Sequence, residues 1–522
     1  LQHFSILYQF LRQISELSQI EPLEPAQLRY SNQIISEMMN AVLFKNLRNF
    51  AAFCLILLIT LLGACSKKAD PKPGGETPPP VIPNLPSAAK DILSINLPKT
   101  ENSDFSTDGY AYKSSTKIYI TIPLNANLTA VKVTFNLSPK ASIKIDGVLL
   151  AENKGTLDLS KTLTAVVYAE NGSSSSYTIL GQNGIKEIDA MIYPFIERYS
   201  IPAASYAVAK NSNERIAYKN AVGFAVVESN ERARPDYAFR LASMSKQHTA
   251  IAIMKLIQDG KFQITDLVFG PTGILKDYFP SVGPMSAKVT VQHLLEHTAG
   301  YSGDPMFSSA YKGYTIDQLI QVMLNSAQSE PGTKYSYYNL GYGTLGKIIE
   351  VVSGKDYESY LKEIYGPAGI TDFRLAATSA ATRRTKEAAC YAQSGNNAYG
   401  TDINVYKAAG GVCVNTEDLF KVLYAVDGGS ISPDILNPTI RNLMFTKSTV
   451  YNYAKGWRTN HSLFAGYYHG GNLAGTATFW IYGDEYSAAV LLNSRSYDDN
   501  FDSDLIVLTN NIMKKAKELG LQ

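Results

Sequence analysis

At Gly184 the hydrophobic pattern of the chain changes period, and the change requires two kinds of fold in one polypeptide. Before it, Ile118, Ile120 and Ile122 alternate with Lys117, Tyr119 and Thr121, and Val131, Val133, Phe135 and Leu137 repeat the alternation. Period two is the mark of half-buried strands, and Asp146-Gly147 and Asn171-Gly172 stand where tight hairpin turns belong. After Gly184, Ile188, Met191, Ile192, Phe195 and Ile196 follow helical spacing, a strand is expected over 203–209, and helices and strands mix up to a last helix over about 504–519. The reading is therefore multidomain: a small all-β sandwich over 91–183 and an α/β (α+β) domain over 185–522. A length of 522 residues fits two or three domains, with 45% hydrophobic residues to fill their cores. A net charge of +2 with acids and bases interspersed gives no concentrated basic face, so no nucleic-acid partner is expected.

The first 90 residues carry a different signal. Residues 1–37 make no sense as an export signal and read as an untranslated or disordered extension, with Met38 or Met39 a better start. From there Lys45 and Arg48 precede an apolar run, 50–62, that is shorter than the roughly 20 residues a spanning helix needs. The end of the run, Leu62-Gly63-Ala64-Cys65, resembles the lipobox of bacterial lipoproteins. The resemblance implies a signal peptide over 38–64, lipidation at Cys65 and attachment to the outer membrane of a cell envelope, on its periplasmic or surface face. A plain secretory signal with a coincidental cysteine, or a retained anchor, is the alternative. Residues 65–90 are rich in proline and glycine and cannot bury a core, so they read as a tether. The all-β segment resembles the immunoglobulin-like modules of bacterial surface lipoproteins, which implies a spacer rather than a glycan- or peptide-binding module.

The chemistry gathers around Phe239-Arg240-Leu241-Ala242-Ser243-Met244-Ser245-Lys246. With a helix starting near Ala242, Ser243 and Lys246 fall three residues apart on one face. A lysine in an apolar pocket gives up its proton more readily, and a serine beside it becomes a nucleophile. Ser-x-x-Lys alone is weak, because it occurs five times in the chain. Two further motifs give it weight. Tyr337-Tyr338-Asn339 and His469-Gly470-Gly471 begin 94 and 226 residues after Ser243.

In order and spacing these three motifs resemble the penicillin-recognising serine hydrolases, the family of class C β-lactamases, D-alanyl-D-alanine peptidases and related esterases. Val289 to Gly300, Gly410 to Leu419 and Gly456-Trp457 match as well, so the likeness covers 188–520. It implies a β-lactamase/transpeptidase-like domain with an antiparallel sheet of five or more strands flanked by helices, and no cofactor or metal. It further implies that Ser243 attacks a carbonyl to give an acyl-enzyme, and that Lys246 and Tyr337 share the proton traffic, with either as the acylation base. Asn339 would hold the substrate amide, His469 and Gly471 would line the pocket, and the amides of Asn472 and Ser243 would form the oxyanion hole. Histidine replaces the lysine that many β-lactamases carry in the third motif. The motif thus lacks a permanent cation for a β-lactam carboxylate, and peptidase, amidase and esterase activities stay open ahead of β-lactam hydrolysis. The other reading is an inactive cell-wall peptide or glycan binder of the same fold. Tyr338, where serine is common, either crowds the pocket or points away.

Three patterns compete. His293-Leu294-Leu295-Glu296-His297 fits a zinc-peptidase motif but lacks a third ligand. Gly341 to Gly346 fits G-x-G-x-x-G without a βαβ unit and reads as close helix packing. Gly300-Tyr301-Ser302-Gly303 only half-resembles a nucleophile elbow. Of four cysteines, Cys390 and Cys413 remain for the folded part, and whether they pair depends on geometry.

Overall fold

The structure, a computed structural model, describes residues 85–326, 328–370 and 372–522. The expected extension, signal peptide, lipidated Cys65 and most of the tether lie outside the described residues. The alternating segment folds as two sheets. Strands Ile92–Asn96, Val131–Leu137 and Lys154–Leu157 form one, and six strands from Tyr110–Lys113 to Ser174–Asn183 form the other. Their facing side chains, including Ile118, Ile120, Val133, Phe135, Val167 and Ile179, make one apolar core. The Asp146-Gly147 turn joins Ile145 to Val148 with both residues at positive φ, as a two-residue hairpin demands.

The larger part is built on a seven-stranded antiparallel sheet. Its order is Glu231–Arg232, Arg215–Val226, Ala203–Lys210, Tyr486–Leu492, Thr476–Tyr482, Tyr467–Leu473 and Arg458–Thr459. Helices Lys186–Arg198 and Phe501–Glu518 cover one face. The other face carries the remaining helices, centred on Ser245–Gln258, which is buried nearly all round as its apolar sequence requires. The motif-like glycines of Asn339–Ser353 are packing residues: a Cβ on Gly346 would stand 2.5 Å from that of Ala408, and one on Gly343 would stand 2.9 Å from Ile316.

The β-sandwich packs against the catalytic part. Alternation predicts that Tyr119 and Thr121 face water, yet both are buried, because helix Lys186–Arg198 lies across them. Tyr119 stacks on Tyr193 with ring centres 4.8 Å apart, and Lys117 pairs with Glu197 at 2.9 Å. Arg232, reaching from the catalytic sheet, donates to the carbonyls of Gly181 and Leu159.

At the centre of this junction the fully buried Asp189 accepts from Tyr206, Tyr218, Thr121, Gln182 and Asn220, drawn from both parts. Burial pushes its carboxyl up to about 6, against the pull of these donors. Asp189→Ala leaves the donors buried without an acceptor and is expected to cost roughly 3–5 kcal/mol. The folded pKa lies above the unfolded value of about 3.9, so the native state binds the extra proton. Stability from this group therefore rises as pH falls from 6 towards 4, and Asp189→Asn removes that dependence. Thermal melts of both variants at pH 5 and 7.5 check the two effects.

Candidate active site

Strand Phe239–Arg240 pairs with Val412–Val414, and Leu241 donates to the Val412 carbonyl, which ends the strand beside the central helix. The chain then turns sharply. Ala242 sits at φ +50°, a conformation that costs a non-glycine residue about 1–3 kcal/mol and that clusters at functional sites. The turn Ala242–Met244 lifts Ser243 to the mouth of a cavity and leads into the Ser245–Gln258 helix. Gly471 closes against it from the edge of the sheet. A Cβ there would stand 2.1 Å from the Leu241 carbonyl oxygen, so no larger residue allows this approach.

The expected spacing holds in space. Lys246, wholly buried, places its Nζ 3.3 Å from Ser243 Oγ. The same nitrogen donates to Asn339 Oδ1 and to the Ala409 carbonyl, each at 2.8 Å. A neutral amine has two hydrogens and one lone pair, so these two acceptors leave the lone pair for the serine proton. Burial pushes Lys246 down to about 7, with Asp304 opposing the shift and Arg458 adding to it. Asp304 also accepts from the Asn339 backbone and so fixes the start of the Asn339–Ser353 helix.

Tyr337 lies over the ammonium, its ring centre 4.9 Å from Lys246 Nζ. Burial raises the phenol well above its usual pKa, with Ser243 and Arg458 only partly opposing. Burial thus acts in opposite senses on the two groups, lowering the lysine towards neutrality and keeping the phenol protonated. Tyr338 turns away from the cavity, buried against Tyr301, and gives its backbone N–H to His297 Nδ1 at 3.1 Å.

His469 is buried, 3.2 Å from the Tyr453 hydroxyl, and burial together with Arg458 and Lys246 holds it neutral. The motif itself thus supplies no cation, as its sequence implies. The pocket nevertheless holds one in Arg458, one strand further out. Its guanidinium carbon lies 5.5 Å from the Tyr337 ring centre on the wall of the same cavity. It makes no ion pair or hydrogen bond with the protein among the described residues. Burial works against its charge, and the tyrosines around it, Tyr335 first, more than offset that. Its signal in the sequence was adjacency to Gly456-Trp457, which says nothing about whether an arginine finds a partner.

Strand Arg458–Thr459 pairs only with Tyr467 and Tyr468, so 469–473 is a free edge. This edge lines the cavity, and Asn472 is exposed there. The cavity has a volume of about 390 Å³.

The competing motifs dissolve. The helix Val291–Leu295 ends before His297, which adopts φ +57°. His293 completes a capping box with Thr290, and Glu296 forms a buried pair with Lys455 at 2.8 Å. No group of metal-ligating residues occurs among the described residues. Cys390 and Cys413 are both free thiols.

A family model described as Beta-lactamase matches residues 188–511. The chain belongs to the Beta-lactamase family. Ser243, Lys246 and Tyr337 all lie within the matched residues. Protein flp of Staphylococcus aureus (strain N315) is 24% identical over 331 residues, 61% of this chain and 62% of its own. The chain therefore spans less than two thirds of that relative. Among solved structures, the octameric penicillin-binding protein homologue from Pyrococcus abyssi superimposes with a TM-score of 0.52 at 24% identity, over 64% of this chain and 77% of that one. D-amino acid amidase from Ochrobactrum anthropi SV3 gives 0.53 at 20%, over 64% and 99%. D-alanine carboxypeptidase AmpC from Burkholderia cenocepacia gives 0.51 at 17%, over 63% and 98%. At such identities these three share the fold.

Proposed function

We propose that this hydrolase cleaves an amide whose leaving amine carries a free carboxylate, as a carboxypeptidase acting on D-amino-acid peptides does. The observation that carries the reading is Arg458, an unpaired guanidinium in the cavity of the nucleophile. Desolvating a charge without a partner is costly, and a bidentate carboxylate is the ligand that a guanidinium fork fits best. The D configuration is supported by the activities that name two proteins of the same fold, a D-amino acid amidase and a D-alanine carboxypeptidase. A β-lactam also carries a carboxylate, so the same cation serves it, and neutral His469 is no argument against that class.

The proposed steps are these. Lys246 Nζ takes the proton of Ser243 as its Oγ bonds to the scissile carbonyl carbon, and the carbonyl oxygen collects the displaced charge facing the amides of Ser243 and Asn472. Asn339, its oxygen held by Lys246, keeps its amide N–H₂ for the substrate. As the C–N bond breaks, the leaving nitrogen takes a proton from the Tyr337 hydroxyl, which Lys246 restores. Water then attacks the acyl-enzyme by the same relay and releases the acid.

Incubation of the full chain with acetyl-D-alanyl-D-alanine tests the reading. Release of D-alanine, lost in Ser243→Ala, is expected. Turnover of the corresponding amide and ester at equal or greater rate, with none of the free acid, would overturn it in favour of an amidase or esterase. Export as a lipoprotein completes the proposal: Cys65→Ala is expected to free the chain from membrane fractions, and unchanged retention would count against lipidation there.

A further inference from the structure

The cavity does not stop at the nucleophile. Along strand Tyr467–Leu473, His469 and Gly471 face Ser243, while Gly470 faces the opposite side of the sheet. With no side chain at position 470, the space continues over the strand edge onto Phe479, which is the cross-strand partner of Gly470, and onto Leu505 and Ile506 of the last helix. A Cβ on Gly470 would stand 3.3 Å from Phe479 Cδ2, directly above this apolar floor. The only acid on the floor, Asp502, is already engaged by Arg495 at 3.2 Å. Arg458 lines the same cavity, its backbone paired with Tyr468. The cavity thus offers a cation and an apolar surface together.

We infer that the preferred leaving group is an amino acid with a branched or aromatic side chain, its carboxylate toward Arg458 and its side chain on Phe479, Leu505 and Ile506. The inference rests on the carboxypeptidase reading and names the substrate class within it. Alanine in the same place leaves half-buried Ile506 and the edge of Phe479 in contact with water, whereas leucine or phenylalanine covers them. Each methylene buried in such a pocket changes discrimination by roughly 10-fold or more. Phe479 and Leu505 also belong to the core beneath the sheet, so the floor is rigid.

The test uses the full chain with acetyl-D-alanyl-D-alanine, acetyl-D-alanyl-D-leucine and acetyl-D-alanyl-D-phenylalanine, and reads kcat/KM from the released amino acid. Release of D-leucine or D-phenylalanine is expected to exceed that of D-alanine by about 10-fold or more. Gly470→Thr, whose extended backbone tolerates a side chain, is expected to cut that ratio to about one by covering the floor. Ile506→Ala, at the half-buried helix surface, should lower it without touching the strand. A wild-type enzyme that releases D-alanine as fast as the larger residues overturns the inference and leaves the carboxypeptidase reading standing. No release from any of the three, by protein whose Ser243 still reacts with a fluorophosphonate, overturns both.

Discussion

Lys246→Met lowers the rate of Ser243 acylation by roughly 10²- to 10⁴-fold, the range that a positioned general base contributes. The substitution nearly preserves volume in a site where Lys246 is wholly buried, so the wall of the cavity stays packed. What disappears is the lone pair 3.3 Å from the serine hydroxyl. Two acceptors, the Ala409 carbonyl and Asn339 Oδ1, lose their donor, which costs stability of about 1–3 kcal/mol and requires the variant to be assayed well below its melting temperature. The decisive readout is the pH profile. Burial brings Lys246 down to about 7, so in the wild type acylation rises with pH as the ammonium loses its proton, and half the effect falls near neutrality. The variant has no group to lose that proton, and its residual rate is flat across the same window. Stopped-flow acylation by a chromogenic ester between pH 5.5 and 8.5 measures both. A retained ascending limb in Lys246→Met would show that another group, Tyr337 first, is the base.

Arg458→Ala is expected to reduce kcat/KM by about 30- to 1000-fold for a peptide with a free C-terminal carboxylate, as befits the roughly 2–4 kcal/mol lost when one member of a sequestered charge pair is removed. The same variant acts on the C-terminal amide of that peptide about as well as the wild type does, because the amide never engaged the guanidinium. Arg458→Lys recovers only part of the loss: an ammonium keeps the charge and gives up the fork. This pattern separates recognition from general damage to the site, since a collapsed pocket would lose both substrates alike. Parallel steady-state assays on acid and amide forms of one peptide measure it.

These two residues mark how far the sequence could be read. Ser243, Tyr337, His469 and Gly471 line one cavity, with Lys246 and Asn339 hydrogen-bonded beside the nucleophile, because their motifs act through short spacing or through a strand edge, and both leave a trace in the order of residue types. Arg458 left none, since its importance lies in lacking a partner, and that is a property of everything around it. Tyr338 could not be assigned a direction from its position between two site residues. It turns away because His297 takes its backbone N–H and Tyr301 its ring.

The fold divides in the same way. The change of period at Gly184 separates the β-sandwich from the catalytic part, and the helical spacing of Ile188, Ile192 and Ile196 gives the buried face of the first helix. Asp189 breaks that face with an acid one residue after Ile188, near the helix start, where acids are ordinarily exposed and favoured by the helix dipole. Its burial comes with five donors contributed by four strands. Tyr119 and Thr121 likewise alternate as surface residues and become interior only through docking of a helix that follows the sandwich.

The central claim is that Ser243 is the nucleophile of an acyl-enzyme, and intact-mass spectrometry of the full chain after exposure to a fluorophosphonate, with Ser243→Ala alongside, tests it most directly. The account predicts one covalent adduct per chain, mapped by peptide fragmentation to Ser243 and missing from the variant. An unmodified wild-type chain that melts cooperatively, or an adduct that persists in Ser243→Ala, would contradict it.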